Sequence, residues 1–377
     1  MTSDARPARR KQERITAEFN MPGRFDVVSG SHQTLTAMPI ISVIAYGPEG
    51  YVEKQVTDMS ELIVLFANWS VTWVNVDPVV EGPEARLVIE KFAKIFNLHE
   101  LVVEDIVNVH QRSKVEEYEE HLFVVTRMLI DKDEVETEQL SLFLGKNFVL
   151  TFREVPKDCL DSVREKIRKG RGRVRQEKAD YLMYAIIDAV VDSYFPLLTR
   201  IAERIDEIED NVLEKFEEDT PSEMYQIRRD VLSIRKAIWP AREALNSLIR
   251  DTIPLVSDTT RLYLRDCHDH SVRIIDLLEM YREVCSALME VHYTRASNRL
   301  NEVMKSLTLI TTLFIPPTLI AGIYGMNFNT SKSPFNMPEL EWYFGYPTAI
   351  FMMVVVTIAV LIFLNYKGWL RTRSGKR

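Results

Sequence analysis

The amino-acid sequence predicts an α+β cytosolic domain, then a long helical stalk, then two C-terminal transmembrane helices. Three observations support this prediction. Strand-like and helix-like patterns alternate over residues 35–175, the following part is helical, and two charge-free apolar stretches lie near the C-terminus. At 377 residues the chain exceeds one ordinary domain, so several structural units are expected.

Residues 1–34 are predicted to be a basic, disordered tail. Five basic residues lie among the first fourteen, but no apolar run follows them. The tail therefore does not resemble a secretory signal peptide, and we expect the large N-terminal part to remain in the cytosol.

Residues 35–175 are predicted to form the α+β domain. The segments 71–76, 122–130 and 139–144 are rich in β-branched and aromatic residues, which is typical of strands. A turn at Gly145-Lys146-Asn147 leads into a further strand at 148–152, and two helices are expected between residues 83 and 109.

Residues 176–254 are predicted to form an acidic helical hairpin. Ile201, Ile205, Ile208 and Val212 recur at helical spacing, while residues 203–219 contain nine acids and two bases. The acidic arm could attract cations or basic segments. A solvated surface explains the same charge equally well.

One long helix is predicted over residues 255–323, with the first membrane span at about 303–323. Neither Gly nor Pro occurs from residue 255 to residue 315. As a helix that stretch alone would measure about 90 Å, at 1.5 Å per residue. Such a helix could carry a cytosolic event to a gate in the membrane.

Two charge-free segments predict membrane-spanning helices. No charged residue lies between Lys305 and Lys332, or between Glu341 and Lys367. Each apolar stretch is about 20 residues long, which is enough to cross about 30 Å of hydrocarbon. The second span is expected at residues 346–366.

Basic residues on the flanks predict the orientation. They precede the first span and follow the second, where residues 367–377 form a basic tail. The positive-inside rule then places both termini in the cytoplasm and the loop at 324–345 outside. We expect a multi-pass protein of the cell (inner) membrane, with the lipid bilayer as a partner.

Charge, cysteine and glycine content exclude several classes of protein. The net charge is −8, which argues against nucleic-acid binding. Three scattered cysteines argue for a reducing compartment and against a disulfide framework. The chain contains no Walker-type glycine loop and no recognisable catalytic motif, so we predict that it is neither an ATP-driven pump nor an enzyme.

A stripe along the first span is compatible with a pore lining. Its members recur at about 3.5 residues per turn and alternate polar with apolar side chains: Asn301, Met304, Leu307, Thr311, Ile315, Thr318 and Gly322. Polar rings could hold an ion's water shell, and apolar rings could gate by dewetting. The same Thr and Gly could instead mediate close helix packing.

The residues after the first span resemble the signature of the CorA family of divalent-cation channels. Tyr324-Gly325-Met326-Asn327-Phe328 matches the family's YGMNF sequence and lies directly outside the first of two C-terminal spans. Further similar segments occur at residues 104–116, 181–188, 238–243, 301–305 and 321–323. The similarity covers about residues 40–369, while residues 329–336 lengthen the outer loop relative to compact members.

This resemblance implies a funnel-shaped homopentamer, in which four identical subunits join each chain. It also implies influx of hydrated Mg²⁺ down the electrochemical gradient, with Co²⁺ as a second candidate ion. Gly325, Met326 and Asn327 would form the selectivity filter. Glu339 and Glu341 would concentrate cations at the entrance, although ordinary loop charge explains them equally well.

The resemblance further implies regulation by Mg²⁺ bound between subunits. Asp105 and Asp266 would be paired acids at the interface, with Glu104, Asp188 and His270 nearby. Two such carboxylates repel by about 4 kcal/mol at an effective dielectric of about 20, and bound Mg²⁺ would remove that repulsion. His268-Asp269-His270 could instead form a transition-metal site, but a third ligand on the helix face, such as His at i+4, is missing, and an exposed polar helix face explains the same residues.

Two other functions stay open at this point. The same architecture could transport cobalt, nickel or zinc, because affinity alone favours transition metals over magnesium. An alternative of another class is a non-conducting, membrane-anchored sensor or scaffold. That interpretation leaves the YGMNF loop without a purpose.

Overall fold

The computed structural model describes residues 39–77, 83–130, 135–154, 159–214, 220–329, 332–333 and 335–369. The predicted basic tail at 1–34, part of the predicted acidic arm at 215–219 and most of the C-terminal basic tail lie outside these residues. Within them, the predicted fold class is confirmed: an α/β domain precedes a long helix and two apolar helical segments.

A mixed sheet of seven strands, counted over the described residues, forms the centre of the first domain. The strands are β1 (Ile40–Gly47), β2 (Gly50–Val56), β3 (Val71–Asp77), β4 (Lys114–Glu117), β5 (Leu122–Ile130), β6 (Glu136–Leu144) and β7 (Phe148–Arg153). Their spatial order is β2-β1-β3-β7-β6-β5-β4, and the central β3–β7 pair is parallel. The predicted turn joins β6 to β7, where a Cβ on Gly145 would collide with the Phe148 ring.

Helices cover both faces of the sheet. On one face lie α1 (Ser60–Asn68), α2 (Pro83–Phe96) and α3 (Glu100–Val107), whose buried residues include Phe92 and Val102. On the other face lie α4 (Asp161–Lys169) and α5 (Ala179–Asp192). Alternating strand residues supply the two cores, because successive side chains of a strand point to opposite faces.

Three further helices form the stalk: α6 (Tyr194–Glu214), α7 (Thr220–Arg250) and α8 (Asp258–Tyr324). The predicted apolar stripe of α6 is buried. Helix α8 runs for 67 residues, or about 100 Å at 1.5 Å per residue. Its first turn is fixed to α5, because the Asp180 carboxylate accepts hydrogen bonds from the backbone N–H and the hydroxyl of Ser257, at 2.9 and 2.6 Å.

Burial separates the apolar helices into two kinds. In the most apolar 18-residue windows of α8 and of α9 (Gly345–Tyr366), 0% and 11% of residues are buried. A third stretch, Ala179–Val212, is also long and apolar enough to span a membrane, but 56% of its window is buried in the cytosolic core. Exposed helices of this composition are suited to lipid, so the end of α8 and α9 are the two membrane segments.

Candidate ion pathway and metal centre

One face of α8 is uncovered through the whole first span. All seven residues of the predicted pore stripe are exposed: Asn301, Met304, Leu307, Thr311, Ile315, Thr318 and Gly322. Of the intervening residues, Thr312, Leu313 and Pro316 are partly covered on the side where α8 packs against α9, whereas Ile310, Phe314 and Leu319 are exposed like the stripe. Within one chain, the stripe is therefore free to meet other copies or an aqueous path.

The threonines of this stripe present hydrogen-bond acceptors outward. Thr311 Oγ1 donates to the Leu307 carbonyl at 2.8 Å, and Thr318 Oγ1 donates to the Phe314 carbonyl at 2.7 Å. Because each hydroxyl hydrogen is used within the helix, the oxygen offers only lone pairs to its surroundings. Water around a cation points its hydrogens outward, so these oxygens suit a hydrated cation.

The predicted filter residues follow α8 at once. Tyr324 is the last helical residue, the Gly325 N–H donates to the Ala321 carbonyl at 2.9 Å, and the Met326 N–H donates to the Ile323 carbonyl at 3.1 Å. Asn327 is exposed, and its side chain has no hydrogen-bond partner among the described residues. Its amide is thus available at the outer end of the stripe.

The two predicted entrance acids differ in exposure. Both lie in a 3₁₀ turn, Pro338–Glu341, just before α9. Glu341 is exposed, whereas Glu339 is partly buried and borders a cavity of about 340 Å³ next to Tyr324. A Cβ on Gly345 would collide with the Glu339 carbonyl oxygen, so this glycine allows the turn to close onto α9.

Outside the membrane segments, α5 and α8 bring three possible metal ligands together. Ligand atoms of Asp188, Asp192 and His270 lie within 4.8 Å of one another, and His270 Nδ1 is 3.4 Å from Asp192 Oδ1. Asp188 and Asp192 are one helical turn apart, so they lie on the same side of α5. The regulatory residues predicted from the sequence do not include Asp192, although its position four residues after Asp188 indicates that both lie on one face of a helix.

The carboxyl groups of this centre repel one another. Burial, then the charge of Asp192 and to a lesser degree that of Asp266, raise the pKa of Asp188 to about 6, against the lowering effects of Lys166 and His270. Asp266 is therefore close enough to interact with Asp188. A hard divalent cation, which prefers oxygen ligands, would relieve this repulsion.

Asp105 and Glu104 are held elsewhere on the chain. Asp105 lies on α3 and accepts a hydrogen bond from Lys114 Nζ at 2.5 Å, while Glu104 is exposed. The pairing of Asp105 with Asp266 is predicted between two subunits, and it stays a prediction.

The raised pKa of Asp188 predicts a pH-dependent stability. Folded Asp188 binds more protons than unfolded Asp188 between pH 3.8 and about pH 6, so stability falls as the pH rises through this window. Asp188→Asn removes the penalty. In EDTA it should stabilise the full-length protein by about 2 kcal/mol at pH 7 and by about 1 kcal/mol less at pH 5.

Thermal unfolding in detergent at both pH values measures this effect. Asp276→Asn is the matched control, because Asp276 is exposed on α8 and makes the same change of charge. Equal stabilisation by Asp188→Asn at pH 5 and pH 7 would contradict the prediction.

Known proteins resemble this chain over most of its length. A family model described as CorA-like Mg²⁺ transporter protein matches residues 70–367. The cobalt/magnesium transport protein CorA of Thermotoga maritima is 41% identical over 363 residues, which cover 96% of this chain and 100% of that protein. A putative metal ion transporter of Bacillus subtilis is 34% identical over 73% of this chain and 83% of its own length.

A solved structure shares the fold. The complete structure of the CorA magnesium transporter from Methanocaldococcus jannaschii aligns with a TM-score of 0.74 and covers 89% of this chain and 100% of that one, at 22% identity. The resemblance inferred from the YGMNF loop is thus confirmed over both the N-terminal α/β domain and the membrane segments. The chain belongs to the CorA-like Mg²⁺ transporter family.

Proposed function

We propose that this chain forms a homopentameric channel through which hydrated Mg²⁺ enters the cytoplasm down its electrochemical gradient. The observation that carries the proposal is the exposed stripe on α8, which leads from Asn301 to the exposed Asn327. Two membrane helices in one chain cannot enclose a water-filled path, so the stripe can line a pore only when several copies of the chain surround a common axis. The similarity to the cobalt/magnesium transport protein CorA of Thermotoga maritima supports the choice of ion.

The chemistry of Mg²⁺ favours this arrangement. Mg²⁺ is small and dehydrates reluctantly, so a channel passes it most easily with its waters attached. Amide and hydroxyl oxygens can accept hydrogen bonds from that water shell without binding so strongly that release stalls. Asn327 would form the outer ring with the Gly325 and Met326 backbone. Thr311 and Thr318 would line the water-filled path below it. Met304, Leu307 and Ile315 would form its apolar gate.

The orientation follows from charge and aromatic residues. Arg295, Arg299 and Lys305 precede the first span, and basic residues follow the second, so both termini are placed in the cytoplasm. Trp342, Tyr343 and Phe344 are 62%, 92% and 67% exposed just before α9, which suits the outer membrane surface. Glu341 would then lie at the external entrance, with Glu339 behind it.

Regulation would couple the cytosolic centre to the gate through α8. Asp266 and His270 lie on the same long helix as the pore stripe, and Asp188 and Asp192 contribute from α5. Cytosolic Mg²⁺ between Asp266 and a neighbouring Asp105 would hold the subunits closed, with Glu104 nearby. When Mg²⁺ falls, repulsion between these acids would loosen the interface and allow the α8 helices to tilt.

Ion flux into reconstituted vesicles tests the proposal. Purified full-length protein should admit Mg²⁺, and Co²⁺ as a second cation, and its mass in detergent should correspond to five chains. Flux of zinc or nickel without magnesium would favour the transition-metal alternative. A protein that assembles but conducts none of these ions would favour the membrane-anchored sensor.

A further inference from the structure

We infer that neighbouring subunits touch through a leucine pair, Leu101 of one chain against Leu262 of the next. This inference rests on the proposed function, because it concerns the interface that would bring Asp105 to Asp266. Leu101 is 56% exposed on α3, and Leu262 is 63% exposed on α8. Interfaces combine an apolar core with a polar rim, so two exposed leucines beside the acids of the proposed interface suit such a core.

The two helices carry the same spacing. Leu101 precedes Asp105 by four residues, and Leu262 precedes Asp266 by four residues. In a helix, side chains four apart lie on one face, with Cβ atoms about 6 Å apart. Each leucine is therefore a direct neighbour of its aspartate.

This spacing selects one direction of docking. If α3 and the neighbour's α8 run the same way, the two leucines meet when the two aspartates meet. If they run in opposite directions, Leu101 falls beside His270 and Asp269, and Leu262 falls beyond Asp105. The first arrangement buries both apolar side chains together, so it is the one we infer.

One pair of opposite charges lies beside the leucines: Glu104, three residues after Leu101, and Arg265, three residues after Leu262, are both exposed. Glu100 on α3 and the acids Asp258 and Asp266 on α8 are exposed as well. Among the described residues, Glu100, Glu104 and Arg265 form no ion pair within the chain. Opposite charges on the two faces would guide a second copy onto this surface and favour it over other contacts.

The leucine pair would help to set the Mg²⁺ concentration at which the channel closes. The apolar contact favours the closed interface at any Mg²⁺ concentration, whereas the two aspartates oppose it until a cation binds between them. Weakening the leucine contact should therefore raise the Mg²⁺ concentration needed for closure. Leu262→Ser should raise the half-inhibiting concentration about fivefold, and adding Leu101→Ser should raise it little further.

Matched controls keep this measurement specific. Leu87→Ser changes an equally exposed leucine on α2, 58% exposed, and should leave Mg²⁺ inhibition unchanged. An unchanged half-inhibiting concentration in Leu262→Ser, or full additivity of the two substitutions, would overturn the inference.

Disulfide cross-linking of full-length protein tests the contact itself. With the pair Leu101→Cys and Leu262→Cys, oxidation in Mg²⁺ should give cross-linked species up to five chains on a non-reducing gel, because a disulfide requires Cβ atoms about 4 Å apart. Each single variant controls for the native cysteines, of which Cys267 and Cys285 are buried.

Two further cysteine pairs show whether a negative result concerns the leucine contact alone or the whole interface. Asp105→Cys with Asp266→Cys is the reference for the proposed interface, and Leu101→Cys with Asp269→Cys reports the opposite direction. If either of these pairs forms cross-links and the leucine pair forms none, the leucine contact is wrong, but an interface between α3 and the neighbour's α8 is still supported. Absence of cross-links in all three pairs would overturn the interface as well.

Discussion

Asn327→Ala should reduce Mg²⁺ flux into vesicles about a hundredfold. In a homopentamer one substitution removes five side chains from a single ring. Each amide oxygen that accepts a hydrogen bond from the ion's water shell is worth about 0.5 kcal/mol net, so five such losses raise the barrier by about 2.5 kcal/mol. Because 1.4 kcal/mol changes a rate tenfold, a loss of two orders of magnitude is expected.

Asn329→Ala is the matched control for this experiment. Asn329 lies two residues further along the same loop, and the contact that Asn336 Nδ2 makes with it, at 2.8 Å, is to the backbone carbonyl, which alanine keeps. This variant should conduct Mg²⁺ like the unmodified channel. Undiminished Mg²⁺ flux in Asn327→Ala, with normal assembly, would remove Asn327 from the selectivity filter.

Asp266→Lys should abolish the Mg²⁺ dependence of channel closure. A lysine at this position would face the neighbour's Asp105 and supply the positive charge that bound Mg²⁺ otherwise supplies. It would also remove one of the charges that raise the pKa of Asp188, and so relieve part of the repulsion in the α5–α8 centre. We therefore expect low flux through this variant at every cytosolic Mg²⁺ concentration. In the unmodified channel, flux should rise more than tenfold when Mg²⁺ is withdrawn, because about 4 kcal/mol of repulsion between the acids returns.

Asp269→Lys controls for the change of charge. Asp269 lies three residues along α8, and its side chain is 81% exposed. An ion pair or repulsion at such an exposed position is worth little, so Mg²⁺ should still close this variant. Mg²⁺ inhibition that is the same in Asp266→Lys and in the unmodified channel would refute the regulatory role of Asp266.

Much of the fold was predictable because its signals are local. The absence of charge between Lys305 and Lys332 identifies the first span, and the absence of Gly and Pro before it predicts the long helix that runs from Asp258 to Tyr324. Strand patterns and the turn at Gly145 likewise depend on neighbours within a few residues. The position of Asn327 beyond the end of α8 follows from the same local order.

Burial could not be predicted in the same way. Ala179–Val212 is apolar enough to be a third span, yet residues such as Leu182 and Ile186 are fully buried against the sheet and the stalk. Composition gives the same signal for a core helix and for a membrane helix. Only the packing of the whole domain distinguishes them, because it decides which apolar surface meets protein and which is left for lipid.

The metal centre shows the same division most clearly. The four-residue spacings of Asp188 and Asp192 on α5, and of Asp266 and His270 on α8, follow directly from the order of residues, since such spacing is a local property of a helix. The approach of the two helix faces, with ligand atoms of Asp188, Asp192 and His270 within 4.8 Å, depends on how the domain packs, and so does the pairing of Asp105 with Lys114. The physical reason is that local spacing sets the direction of a side chain, whereas packing between segments distant in sequence sets the group that it meets.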